Sequence, residues 1–334
     1  MPFDQSDPRS VLDAQPGIPA AGFAEAQVIA FTGDTAQVSH AGSRIWHVRT
    51  QNAVVTFAQA AAGDALARES EPFEYLVALP DDETAVRISA NGSSHVMQGR
   101  SLAVVPAGAS TVDVLEAGPV IRVSTAAALD LLACCVNKDA YLEVPPNVAV
   151  HAPAASPGPV LTYRLADYPP TPDRFGHIFR SRNLMLNFIG DRHGPRDVRK
   201  LSPHSHPDFE QCSVQLAGQF VHHIRTPWTP DMTTWRDDQH AQLKGPGAVI
   251  FPPPLIHTSQ AAGPGINRLL DVFSPVRNDF LGRPGWVLNA ADFASCGAID
   301  LRLCLSALLG VITSTSGEGD KDNGRRLAAN HPPV

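Results

Sequence analysis

PHSHPDFEQCSVQLAG, residues 203–218, sets two histidines one residue apart and a glutamate four positions after the second, in a stretch otherwise built like a buried strand. On a strand alternate side chains share a face, so His204 and His206 point the same way. Glu210 has the same parity and joins them if the chain bends between. Further along, His257 follows the proline-dense turn FPPPLIH, residues 251–257, which fixes backbone direction just before it. Three imidazoles and one carboxylate fill four positions around a divalent ion and leave one or two for water or substrate.

The composition suits a compact β-rich protein. With 334 residues the chain is long enough for two domains of ordinary size, or one large one. An apolar share of 43% against 18% charged residues is that of a packed globule. Thirty prolines and 25 glycines favour many short strands joined by turns over long helices. A net charge of −7 without a basic run argues against nucleic acid as a partner. The first residues lack the basic start and apolar stretch of a secretory signal, and the longest apolar run, residues 303–312, is too short to span a bilayer. A cytoplasmic protein with no membrane partner is expected. Cys134, Cys135, Cys212, Cys296 and Cys304 form no CxxC pair and read as small buried hydrophobes in a reducing compartment.

Strand-like runs recur from residue 26: AQVIAF, AVVTFA, FEYLVAL, TAVRIS, SLAVVP, TVDVL and VIRVS, separated by Gly, Asp, Asn and Pro. This spacing predicts an antiparallel sandwich or barrel. AAALDLLACCV, residues 126–136, reads as helical and leads into a Pro- and Ala-rich linker. Strands resume with HIFRSRNLMLNFI, CSVQLAG, FVHHI, GAVIFP and NRLLDVFS. The divisions expected are an N-terminal extension 1–22, a first β domain 23–125, a helix and linker 126–165, a second β domain 166–293, and a partly disordered tail 294–334. The halves also resemble each other. Phe73-Glu74 matches Phe209-Glu210, Pro106 matches Pro252 and Thr111 matches His257. Glu210 stands 136 positions after Glu74 and His257 stands 146 after Thr111, so the second half carries ten extra residues, assigned to the loop RTPWTPDMTTWRDDQHAQLK. Duplication of one β domain leaves such a trace.

The pattern His-x-His-xxx-Glu, then Gly, then a second motif with Pro and His, resembles the two motifs of the cupin superfamily. The resemblance implies an all-β fold of two antiparallel jelly-roll barrels with a few short helices. It also implies one divalent metal ion per chain (Fe, Mn, Zn or Ni), bound by His204, His206, Glu210 and His257. Gly218 falls one residue later than the usual spacing after the glutamate, Pro254 replaces a glycine, and Ala261 replaces a frequent asparagine. In the first half the matching positions are Arg68, Ser70, Glu74 and Thr111. An arginine repels a metal, so this half is expected to be a degenerate, structural cupin.

Eight of the thirteen histidines lie between His177 and His257, and those outside the motifs, such as His222, His223 and His240, read as strand-end or loop residues. Arg182 and Asn187, on the run before the first motif, are candidates for holding substrate, and Trp228 and Trp235 in the inserted loop are candidates for a lid. The implied function is a metal-dependent bicupin enzyme on a small oxygenated substrate, by isomerisation of a sugar-acid-like molecule or by dioxygenation. A non-catalytic ligand-binding or regulatory cupin is the alternative. The expected partner is a small molecule, and a homodimer stays open.

Overall fold

The computed structural model describes residues 23–142, 148 and 158–293. The tail expected at 294–334, the N-terminal extension, and Cys296 and Cys304 lie outside the described residues. The fold is all-β, with two short α-helices, Leu129–Ala133 and Asn278–Leu281. The runs read as strands contain strands, except that HIFRSRNLMLNFI is two, His177–Arg180 and Met185–Phe188, paired antiparallel about a turn, and the expected helix at 126–136 is helical over Leu129–Ala133.

Each half pairs an inner sheet with an outer one. In the first half the inner sheet includes Ser101–Val105, Tyr75–Leu79, Gly118–Thr125, Ala53–Ala60 and Arg44–Arg49, and the outer sheet runs Ala65–Glu71, Gly108–Glu116, Ala85–Ala90, Ser93–Gln98. In the second half the inner sheet includes Gly247–Phe251, Glu210–Ala217, Ile266–Ser274, Met185–Phe188 and His177–Arg180, and the outer sheet is Gln239–Lys244, Gln219–Arg225, Ile256–Ala261. Sequence pattern separates the two kinds. YLVAL (75–79) and GAVIF (247–251) are buried at every position, as strands covered on both faces must be, whereas GASTVDVLE (108–116) alternates buried with exposed or half-buried positions.

The inner sheets pack against each other through one apolar core. Trp46, Val55, Phe57, Leu76, Ile121 and Val123 of the first half meet Phe179, Leu186, Cys212, Val214, Ile250 and Val272 of the second. The halves also exchange a strand each. Gln27–Ala30, within the stretch 23–125, runs antiparallel to Gly247–Phe251 of the second half, and Leu161–Arg164, within the linker, pairs with Ser101–Val105 of the first. Each exchanged strand becomes the short terminal strand of the sheet it joins and pairs the backbone of Gly247–Phe251 or Ser101–Val105, which would otherwise form that edge. The loop assigned to 225–244 is shorter than expected. Gln239–Lys244 forms a strand with Gln219–Arg225, and residues 226–238 remain as loop.

Two polar features fix the second barrel and its seat. Gly218, between strands Glu210–Ala217 and Gln219–Arg225, has φ +83, and a Cβ there would lie 2.5 Å from Asn267 Oδ1 and 2.6 Å from the Ile266 carbonyl. Asn267 is a hub: its Oδ1 accepts from the Gln219 and Gly263 amides, and its Nδ2 donates to the Gly194, Gly263 and Gly265 carbonyls. Asp191 joins the halves, accepting from Arg268 Nε (2.8 Å) and Nη2 (2.7 Å) and from Arg100 Nη2 (2.7 Å).

Gly218→Ala is expected to cost roughly 1–3 kcal/mol, because it combines a left-handed backbone with a contact against carbonyl oxygen. Chemical denaturation measures it, and a neutral result would contradict the turn. The two guanidiniums beside Asp191 hold its carboxyl down to about 2, below its ordinary 3.8. Its folded-state pKa is the lower one, so its contribution is complete above the ordinary value and fades as the pH falls through the folded one. Asp191→Asn should cost on the order of 1 kcal/mol at neutral pH. Urea unfolding at stepped pH should show that gap constant down to the ordinary carboxylate range and narrowing below it.

Candidate functional site

The segment before strand Glu210–Ala217 is irregular, and one β-bridge holds it in place. The His204 amide donates to the His257 carbonyl (3.1 Å) and the His257 amide to the His204 carbonyl (2.8 Å). That pairing sets the two imidazoles side by side, ring centroids 4.6 Å apart. His206 comes to 5.0 Å from His257 and 6.2 Å from His204. Its ring stacks on Phe209 at 4.0 Å, and His257 stacks on Phe251 at 4.1 Å.

In all three rings Nδ1 faces a backbone carbonyl: Ser202 at 2.9 Å from His204, Phe209 at 2.8 Å from His206, Leu255 at 3.1 Å from His257. A carbonyl only accepts, so each Nδ1 carries a proton, and in a neutral ring Nε2 is then the nitrogen that presents a lone pair. His206 Nε2 is buried with no hydrogen-bond partner among the described residues. Burial, with the neighbouring imidazoles second, pushes His206 and His257 down to about 3, so both stay neutral near pH 7.

Glu210 does not join them, which corrects its expected place in the ligand set. It is fully buried on the opposite face of its strand, where its carboxylate accepts from the Gln51 amide (2.5 Å) and the Tyr141 hydroxyl (2.7 Å). Burial pushes its pKa up to about 7. The parity count fails because 204–209 is not one regular strand with 210–217; the chain bends at Pro207-Asp208. Gln211 takes the inward position instead, its Oε1 3.4 Å from His257 Nε2. The displaced Gly218 is the sequence signal: counted from Gln211, its interval is the usual one. Glu74, the counterpart of Glu210, is likewise a clasp between the halves, accepting from the Arg182 amide.

Among the described residues no three His, Cys, Asp or Glu side chains close on one point as a metal cluster. The fourth group here is an amide, and the widest pair involves His204, whose side chain is exposed at the rim. A cavity of about 120 Å³ opens beside the rings, lined among others by His204, His257, Gln211, Asp271, Arg192 and Arg196. Asp271 is buried, accepts from the Ser213 hydroxyl (2.5 Å), and is pushed up to about 6 by its burial. Arg196 is spent on the Lys200 carbonyl and Ser202, while the exposed Arg192 makes no side-chain hydrogen bond among the described residues.

Asn187 lies opposite Asp271 in the ladder, fully buried, with both amide atoms unpartnered among the described residues. Arg182 is not brought to the cavity; it sits in an exposed turn with its guanidinium 6.0 Å from the Phe293 ring. Trp228 and Trp235 stack on each other at 4.5 Å and do not line the cavity. His223 and His240 pair across strands near the surface, but His222 is not a strand-end residue: it is fully buried and bonded to Ser259. Asp271 and Arg192 have no counterpart among the sequence expectations, because single polar residues carry no spacing signal. In the first half Arg68 is buried in ion pairs with Glu71 (2.7 Å) and Asp130, so that half gathers no comparable imidazole set.

No protein-family model matches the sequence, and no curated protein is significantly similar to it. Solved structures do match. An oxalate decarboxylase described for its substrate binding mode and reaction specificity switch shares 14% identity at a TM-score of 0.51, over 78% of this chain and 80% of that one. Two variants of the Bacillus subtilis oxalate decarboxylase give 13% and 0.51 over 85% and 88%, and 15% and 0.50 over 78% and 80%. At such identity the likeness is one of fold: the chain shares with these oxalate decarboxylases an all-β architecture of two double-sheet halves, as the cupin resemblance implied.

Proposed function

We propose that the second barrel binds one divalent metal ion through Nε2 of His204, His206 and His257 with the Gln211 amide oxygen as fourth donor, and that the chain is a metal-dependent enzyme for a small oxygenated substrate. The observation that carries this reading is the common hydrogen bonding of the three Nδ1 atoms to carbonyls, which leaves three Nε2 lone pairs for a cation. The unpartnered His206 Nε2 supports it. So does the facing of two acceptors, His257 Nε2 and Gln211 Oε1, at 3.4 Å. Donors bound about 2.1 Å from one ion stand on the order of 3.0 to 3.4 Å apart.

Bound there, the ion supplies Lewis acidity toward a substrate oxygen. The chain supplies the rest. The free guanidinium of Arg192 at the cavity mouth attracts and orients an anionic group. Asp271 on the cavity wall is placed to accept a proton from the substrate, with the Ser213 hydroxyl holding its carboxylate in position. A cavity near 120 Å³ is well below the roughly 300–1,000 Å³ of pockets for drug-sized ligands, so the substrate has few atoms. Asp271 favours proton-transfer chemistry, as in isomerisation, over dioxygenation, and favours an enzyme over a binding-only cupin. The structural neighbours are named for oxalate, which fits this size and charge and belongs in the first substrate panel beside small hydroxy and keto acids.

Elemental analysis of the purified protein should find one divalent ion per chain. His206→Ala and His257→Ala should each lower metal affinity by at least about 10-fold to 100-fold. Glu210→Gln should keep the metal and Gln211→Ala should weaken it; the reverse pattern would return the fourth position to Glu210. With a turned-over substrate in hand, Asp271→Asn should retain metal and lose about 10²- to 10⁴-fold in rate, together with solvent deuterium incorporation. Oxygen uptake with no deuterium incorporation would favour dioxygenation instead.

A further inference from the structure

The first barrel lacks the histidines, yet its interior is neither filled nor apolar. A cavity of about 230 Å³ lies inside it, lined by His47, Thr56, Arg68 and Arg122 and by apolar side chains such as Ile45 and Leu66. The ladders show what has been exchanged. Arg122 lies across from Val77 and Thr56 as Asp271 lies across from Ser213 and Asn187. A guanidinium therefore stands where the second barrel has its interior carboxylate. Arg68 stands at the position that the Phe-Glu repeat matches with His204.

The two arginines differ in one respect. Arg68 is answered by charge, Nε to Glu71 at 2.7 Å and Nη2 to Asp130 at 3.0 Å. Arg122 is 7% exposed and donates once, from Nη2 to the Leu66 carbonyl at 2.7 Å. Its Nε is buried without a partner, and no carboxylate lies within ion-pair distance of it, among the described residues. The Tyr75 ring lies 5.6 Å from it. Glu71 lies near enough to be felt, its Oε2 on Arg68 and its Oε1 buried without a partner among the described residues, but neither oxygen comes within ion-pair distance of the Arg122 guanidinium, which is left without a direct ion pair. An arginine stays protonated even here, and an isolated buried charge is costly unless something of opposite sign meets it. The row beside Arg122 in the same sheet is neutral: His47, paired with Thr56 and with its Nδ1 2.8 Å from Thr56 Oγ1, is kept uncharged by burial and by the two guanidiniums.

We propose that the first-barrel cavity is a metal-free binding site for a small carboxylate with an apolar tail, its head group on Arg122 and its tail against Ile45, Leu66 and Leu131. The head supplies the counter-charge that Arg122 lacks, and the apolar share of the lining excludes a fully hydrated inorganic anion. Helix Leu129–Ala133 borders the cavity through Leu131, and Asp130 on the same helix grips Arg68 from outside. The site is independent of the metal proposed for the second barrel.

Butyrate, its neutral amide butyramide, and chloride at matched ionic strength serve as probes on the full chain. Butyrate should raise the thermal midpoint saturably and shift the Arg122 Nε–H signal of ¹⁵N-arginine-labelled protein, while butyramide and chloride should not. Arg122→Met should weaken butyrate by at least about tenfold, and Arg192→Ala at the second cavity should leave it unchanged. Equal binding of butyramide, loss of binding in Arg192→Ala, or no binding of butyrate at all would each overturn the proposal. Should Arg122→Met fail to fold, the wild-type protein decides. Nuclear Overhauser contacts from the butyrate methyl to the Leu66 and Leu131 methyls are expected, and bound butyrate without them would place the ligand elsewhere.

Discussion

The structure depends on the burial of two sheets against each other. Because the inner sheets share one apolar core, their strands are covered on both faces, and neighbouring residues along them face different environments. Cys212 and Val214 enter the shared core with Val272, while Gln211 and Ser213 enter the second barrel with Asp271. A one-residue slip would drive amides and hydroxyls into hydrocarbon and pull valines into a polar cavity. The architecture of the site is thus fixed by packing on its far side.

The paired glutamates follow from the same constraint. Glu74 and Glu210 sit on the shared-core side at equivalent points, and each reaches a backbone amide of the other half, Arg182 and Gln51. The two glutamates thus hold the same post in the two halves, each clasping the other half's backbone. The interiors have diverged in charge. One gathers neutral imidazoles and an amide around a single carboxylate; the other gathers two guanidiniums around one buried glutamate.

Much of this was legible in the residues. The strand runs stood in local patterns, since alternation and turn residues report directly on burial and bending, and the spacing of His204, His206 and His257 anticipated that their rings lie within 4.6–6.2 Å of one another. Glu210 was misread because parity holds only along an unbroken strand, and Pro207-Asp208 breaks it. Gly218, whose offset marked the error, was informative because its positive φ ties it to one turn. The strand exchange was illegible for another reason: which edge a short strand joins is decided by distant residues. Arg182 and Asn187 looked alike on one strand-like run, yet a turn puts one on the surface and the other in the interior.

The exchanged strands also bear on how the molecule is made. During synthesis Gln27–Ala30 leaves the ribosome long before its partner Gly247–Phe251, so it stays unmatched while the first barrel closes without it. The first barrel in turn waits for Leu161–Arg164 to seal its open side. The Ser101–Val105 edge stays open until Leu161–Arg164 has emerged, and Gln27–Ala30 stays without its partner for about eighty residues more, until Gly247–Phe251 follows. A chain cut before Leu161 would leave both Ser101–Val105 and Gly247–Phe251 without the strands that border them, so the two halves are joined by exchanged backbone as well as by their shared core.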